Sequence, residues 1–555
     1  MKTKKKNKNR IHNVFFNVHT VTGITISVAL FICFLAGAFA LFMDNIDHWE
    51  GNVKNNAYDP KIDYERLLEV TEGEGYDLDN RNIQIRYYEG ATSYIQINAL
   101  PPKLKDAISI ADDAGPSRKD SLAMANVALR IHPETYEVLQ KNAEFGDESL
   151  GTFLYHLHYF NQIPNLGFYL SALVSLFFLL AIVTGTIVHW KKIVSNFFTF
   201  RLKGSLKNLW TDAHTSLGII GLPFQFMYAL TGAFFGLALL VFLPMITLVY
   251  DGDQDRMTKD VFPGRTNYEV LYEPLEGRLN INDLVAQSME DLGRDDLANL
   301  QVSISAYNDK NAHLSINVFK SKINQLVSYG HTTYRLSDGK VVNSKAINET
   351  SYNDGFVMAF FNLHFANFGG YFLKFIYFIL ALITCFVILS GVMIWLEARN
   401  TKKYEHKKRF NTNVGAIYLG ASLGLLPAIA FFFCMTKVFP LEMEGRFGTM
   451  SFVFFLFWLC YTIYAFFLKD FHKINKHALL VTGILGILIL LLNGIQSGLW
   501  PWKSLPQGYI DSFFVDVSWL VMGSISLWAG LRVKRLVAHK KQKRQDAGQQ
   551  AHETV

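Results

Sequence analysis

A chain of 555 residues, 50% hydrophobic and only 18% charged, could by length hold several soluble domains, but its apolar residues are too segregated for that. They gather in runs of 18 or more with almost no charge, long enough at ~1.5 Å per residue to cross a ~30 Å hydrocarbon core. The net charge of +6 sits in short basic clusters beside those runs, which is topological anchoring and gives no ground for a nucleic-acid partner.

In chain order, hydropathy predicts an α-helical integral membrane protein with about eight transmembrane helices. They fall at 20–43, 167–190, 214–249, 371–396, 414–437, 451–468, 478–499 and 512–532. The basic start KTKKKNKNR followed by an apolar run has the outline of a signal peptide. The run is too long, and no small-x-small cleavage site follows, so it is read as a retained first helix. The third span is long, and Pro223 and Pro244 are placed to kink it or mark its end. Basic clusters at 2–10, 191–207, 402–409, 470–476 and 532–544 all fall on one side if there are eight spans. That side is expected to be the cytoplasm, with both termini in it. Cys33, Cys385, Cys434 and Cys460 lie inside apolar spans and form no CxxC, which argues against disulfide or zinc chemistry.

Two segments, 44–165 and 250–370, lie outside the membrane in this reading. Each carries a helix (DYERLLEVTEGEG; INDLVAQSMEDLG) and then alternating strands. The strands are IQIRYY, SYIQINAL and ALRIHPETYEVL in the first segment, and LQVSISAY, AHLSINVF and TTYRLSDGKVV in the second. The predicted fold is therefore a helical membrane protein with two small α+β domains, one between the first and second spans and one between the third and fourth.

The chain repeats itself. VHTVTGITISVALFICFLAGAF (18–39) and AHTSLGIIGLPFQFMYALTGAF (213–234) are identical at nine of 22 positions without a gap. YHLHYFNQIPNLGFYLSAL parallels FNLHFANFGGYFLKFIY, and the spans that follow end alike, in TGTIVHW and SGVMIW. Residues 11–200 and 206–400 thus read as a parallel tandem repeat of helix, external domain and helix. Residues 411–535 form four further spans without a detectable repeat, and 536–555 a basic, polar tail.

Four histidines recur between the halves. His19 and His214 open outward-going helices on the cytoplasmic side; His158 and His364 precede inward-going helices on the external side. Polar rings at a membrane boundary are costly unless partnered. Gly23 lies one turn from His19, and Gly37 five turns from it, so the three share a face; His214, Gly218 and Gly232 repeat the spacing. A glycine one turn from a histidine leaves room for a flat ligand, and a glycine ~27 Å further along clears space near the other membrane face. Two stacked haems would need this arrangement, each iron taking one imidazole from each half. His189, beside Trp190, is a further candidate, but its counterpart is Ile394. His156 faces Asn362 in the alignment. Trp190 and Trp395 read as interfacial anchors.

A first helix opening His-x-x-x-Gly, then Leu157-His158 and Leu363-His364 before spans that end in Ser/Thr-Gly, resembles the PepSY-associated transmembrane family over roughly residues 11–400. The external segments resemble divergent PepSY domains. The resemblance implies a bacterial inner-membrane protein and, through some members, a haem-containing reductase of ferric siderophores. It would hold two haem b groups, with iron bound by His19, His214, His158 and His364. The four C-terminal spans depart from the family pattern.

These readings together predict a di-haem electron-transfer protein that reduces ferric siderophores or other iron chelates. Its electrons would come from an unidentified donor, a reductase or quinol, because the chain has no GxGxxG, no P-loop and no soluble cytoplasmic domain. No HExxH or Gly-x-Ser-x-Gly element points to a hydrolase. A siderophore or small-solute transporter is the first rival; it would show charged or broken helices near the midplane, of which the sequence displays few. A PepSY protein-binding anchor is the second.

Overall fold

A computed structural model describes residues 2–54, 61–88, 93–99, 125–141, 149–198, 206–261, 268–292, 297–320, 329–347, 349, 352–441 and 443–552. The linker 199–205 between the two repeats, and with it much of the expected 191–207 basic cluster, lies outside them, as do parts of both external segments and the last residues of the tail. The chain divides into two compact units. The first comprises Met1–Asn55, Asp147–Gly236 and Ile376–Val555; the second, Asn56–Gly146 and Leu237–Phe375. Residues 44–55 and 147–165, expected in an external domain, therefore belong with the helices.

The helices are α1 (Lys2–Ala40), α2 (Met43–Gly51), α3 (Tyr64–Gly73), α4 (Leu150–His158), α5 (Gly167–His189), α6 (Leu206–Ile220) and α7 (Leu222–Val249). They continue with α8 (Ile281–Leu292), α9 (Tyr352–Phe365), α10 (Gly370–Arg399), α11 (Lys408–Val438), α12 (Arg446–Leu468), α13 (Phe471–Ser497) and α14 (Ile510–His552). Among the described residues seven helices are long and apolar enough to span a bilayer, in α1, α5 and α10 to α14. The expected third span is broken: α6 and α7 meet at Gly221 with a 70° bend. Pro223 accounts for the break, since it has no N–H to give back to the preceding turn and its ring crowds that turn's carbonyl. Pro244, the other suspected breaker, sits inside α7.

The C-terminal helices pack through small residues. A Cβ added to Gly486 of α13 would lie 3.0 Å from the Gly523 Cα of α14, so these backbones nearly touch. Gly420 and Gly424 of α11 admit Thr462 and Tyr461 of α12 in the same way. This group also grips α2. Lys437 Nζ donates to the Trp49 carbonyl at 2.7 Å and lies 4.2 Å from the centre of that indole ring. Trp49 Nε1 donates to Asp516, which also accepts from Asn493. His48 and Asn45 both reach Asp511 at 2.6 Å. Arg446 and Glu50 form an ion pair at 2.6 Å, 7% and 0% exposed. Glu50 accepts the Leu150 N–H and Asp47 the Gly151 N–H, which caps α4. Sequence reading found few charges in the helical part. The structure buries a network of them at helix ends, with Asp47 and Glu50 drawn from the stretch expected in the first external segment.

The second unit holds one sheet. Its strands are β1 (Ile83–Tyr88), β2 (Tyr94–Ala99), β3 (Val127–Ile131), β4 (Val138–Lys141), β5 (Leu297–Ser305), β6 (His313–Lys320), β7 (Tyr329–Arg335) and β8 (Val341–Lys345). They run β4-β3-β2-β1-β5-β6-β7-β8. The strands expected from alternation are all present, but the two expected domains are one: β1 pairs antiparallel with β5, Ile85 opposite Val302. Leu67 and Leu68 of α3 and Leu284 and Val285 of α8 pack on one face, over Ile83, Ile97, Leu129, Val302, Ile316 and their neighbours. The two helices cap each other. The Tyr64 N–H goes to Asn282 Oδ1 and the Ile281 N–H to Glu65 Oε1, both at 2.8 Å. Arg278 adds a two-pronged pair with Glu65, which holds that carboxyl below its usual range against the opposing effect of burial.

Candidate functional site: three glycine-seated histidines

The first unit seats three of the four repeated histidines by one device. His19 Nδ1 lies 2.8 Å from the carbonyl of Ala181 on α5, His214 Nδ1 2.9 Å from that of Val387 on α10, and His158 Nδ1 2.6 Å from that of Cys33 on α1. Each carbonyl stands four residues before a glycine of the same helix, and the ring lies over that glycine. A Cβ at Gly185 would sit 2.9 Å from His19 Cε1, one at Gly391 3.1 Å from His214 Cε1, and one at Gly37 2.5 Å from His158 Nδ1. Any side chain there would displace the imidazole.

The hydrogen bond settles the tautomer. A carbonyl can only accept, so Nδ1 carries the proton and Nε2 is the acceptor nitrogen of each ring. This is how a metal-binding imidazole is oriented from behind. Ser390 Oγ, 3.2 Å from His214 Nδ1, reinforces the seat. Burial holds His158 below the ordinary imidazole value, an effect its Cys33 partner only partly offsets, so the ring stays neutral.

The structure brings His19 and His214 together, ring centres 6.1 Å apart and planes inclined at 68°. Two imidazoles sharing one metal ion through nitrogens ~2 Å from it place their ring centres roughly 6 Å apart. Among the described residues no three His, Cys, Asp or Glu side chains converge as a metal site.

The glycines act differently from expectation. Gly37 clears space at the level of His158, but the imidazole itself fills it. Gly23 opens on nothing within 4 Å, and Gly218 meets only Val387 Cγ1 at 4.0 Å, so room remains beside each histidine. His19, Gly23 and Gly37 share the unbroken α1. The bend at Gly221 separates Gly232, on α7, from His214 and Gly218 on α6, so that trio has no continuous face. His189 closes α5, half-buried. His364 closes α9 in the second unit, its ring 5.6 Å from that of Phe365. Gly185 and Gly391 were missed by sequence reasoning. Their signal was present in the matched TGTIVHW and SGVMIW endings.

The other sheet face carries a second candidate. One cross-strand row runs Gln140, Arg130, Gln96, Arg86, Gln301, Asn317, His331, Lys345 across all eight strands. It holds four amides and four cationic or ionisable groups and contains no carboxylate. Arg130 reaches Gln140 at 2.8 Å and Arg86 reaches Gln301 at 3.1 Å. Gln96, Arg130, Asn317, His331 and Lys345 are buried, so most of the row is an interior polar seam, with Arg86 half-buried.

Fold and site together define a multi-pass membrane protein built from a tandem repeat, with histidines from both halves meeting in one helical unit. The PepSY-associated TM region matches residues 16–398, and the chain belongs to that family. It is also similar to an uncharacterized Pseudomonas aeruginosa protein, PA4219, 24% identical over 242 residues. That alignment covers 42% of this chain and 60% of the relative, so the chain spans about three fifths of the relative's length.

Proposed function

We propose that this protein is a di-haem electron-transfer protein of the bacterial inner membrane that reduces ferric chelates on its external side. The observation that carries the reading is the seating of His19 and His214: both Nδ1 protons are tied to carbonyls, and the rings are 6.1 Å apart. In this reading His19 and His214 hold one haem b, and His158 is a ligand of the other. Bound haem supplies a one-electron carrier. The residues do the rest. The carbonyls of Ala181, Val387 and Cys33 keep each Nδ1 proton in place, so that Nε2 is a stronger donor. Gly185, Gly391 and Gly37 let the rings lie flat against the neighbouring helix. The basic clusters beside the spans support a cytoplasmic side for both termini in this reading.

On the external side the second unit would receive an anionic chelate such as a ferric siderophore, with Arg86 the half-buried cation of its polar row. Iron(II) is held less strongly than iron(III) by hard oxygen ligands, so reduction releases it. The test is an absorption spectrum of the detergent-solubilised protein, oxidised and then dithionite-reduced, with haem per chain quantified. Two low-spin b-type haems per chain are expected. A haem-free protein made with ample haem supply would overturn the reading.

A solute or siderophore transporter is the second reading, favoured by the 70° break between α6 and α7 and by the buried ionic network around Glu50 and Arg446. It predicts chelate uptake into proteoliposomes without haem.

A further inference from the structure

A cavity of roughly 600 Å³ opens in the helical unit, between α6, α10, α11 and the start of α13. Its inner wall is apolar: Trp210, Phe386, Leu389, Met393 and Leu423. Its rim is polar and carries Glu397, Asn411, Asp470, His472 and Asn475. The wall backs directly onto the seat of His214. Phe386, Leu389 and Met393 alternate along α10 with Val387, Ser390 and Gly391, which hold that ring. Trp210 stands one turn before His214 on α6, its ring 6.1 Å from that of Phe386.

We propose that this cavity binds a membrane quinol, the electron donor of the chain; the proposal rests on the haem reading above. Three observations choose this occupant. The volume and the apolar wall with a few polar groups suit a small ring-and-tail molecule. The rim carries Glu397, Asp470 and His472 beside Arg399, Lys408 and Lys469, so it offers proton acceptors, which a quinol needs on oxidation and a phospholipid does not. The segments between spans on this side are short, which leaves no soluble domain for a nucleotide or flavin donor.

The chemistry balances. A quinol oxidised to quinone breaks two O–H bonds and releases two electrons and two protons. The electrons leave singly towards the paired His19 and His214, two per quinol and hence two ferric chelates reduced. The protons pass to Asp470, Glu397 or His472 at the rim, and from there to water.

The test is photolabelling of the purified full-length protein in nanodiscs with an azidoquinone, with peptides mapped by mass spectrometry. Label is expected on peptides holding Trp210, 386–400 or 469–475, competed by decylubiquinol. Met393→Trp, which fills the cavity, should lower labelling at least tenfold while haem per chain and the dithionite spectrum stay unchanged. If that variant does not fold, Asn475→Ala at the rim should still weaken competition severalfold. Label outside the cavity, label not competed by quinol, or label competed by phosphatidylglycerol instead would overturn the proposal. Competed cavity label in a protein without haem would uphold the quinol site and overturn the haem reading alone.

Discussion

His158 lies in the gap that Gly37 leaves in α1, with its Nδ1 2.6 Å from the Cys33 carbonyl one turn back. The pairing makes Gly37 part of the site although it has no side chain. Gly37→Ala should displace the ring at a cost of ~1–3 kcal/mol and remove the haem that His158 serves. Gly23→Ala meets no neighbouring side chain and should leave the protein folded, but it should lower haem content, because its methyl enters the space beside His19. Thermal melts with haem quantified per chain check both.

His19 and His214 should act as one unit. His19→Gln and His214→Gln are each expected to cost one haem per chain, and the double variant no more than either single. Additive losses in the reduced spectrum would show that the two rings serve different groups.

The Glu50–Arg446 pair is buried among Lys437, Trp49 and the first turn of α4. Removing one charge strands the other. Glu50→Ala should destabilise by roughly 3–5 kcal/mol, and Glu50→Met with Arg446→Met by less than that single change. Melting in one detergent, with the variants side by side, is the measurement.

Asp47 gives a pH signature. Burial, then the neighbouring Glu50 and Asp44, push its carboxyl up to about 8, against the hydrogen bonds from Ser149 and Gly151. The folded state therefore keeps a proton that the unfolded chain loses near the ordinary carboxyl value of 3.8. The folded state binds more protons across that window, so stability should fall as pH rises from about 4 to about 8 and then level off. Asp47→Asn should flatten that slope in a melting-temperature series.

The polar row should discriminate by charge. Arg86→Gln is expected to weaken ferric citrate binding by roughly tenfold and to leave the melting temperature nearly unchanged, because Arg86 is only half-buried. Titration calorimetry reads both the affinity and its salt dependence.

Much of this was legible in the sequence. Spans, strands and the repeat follow from local periodicity, and local periodicity survives folding. The seam between β1 and β5 was not legible, because alternation says that Ile85 has a buried side but not that Val302, more than two hundred positions later, lies opposite. Gly185 and Gly391 were visible as matched endings, yet their use depends on which helix each histidine leans against. Asp47 and Glu50, in DNIDHWE, have the composition of a solvated turn. Only the position of Arg446 and the α4 N–H groups shows why they are buried.

The β1–β5 seam has one more consequence. Corresponding elements of the two halves meet like with like: β1 pairs with β5, α3 and α8 each cap the other's first N–H, and His19 faces His214. Contacts of this kind are what a two-fold dimer presents. Here both partners are in one polypeptide, so each half meets the other at a concentration set by the linker and not by expression level. Dilution cannot separate them, and neither edge strand at the seam is left open to a stranger.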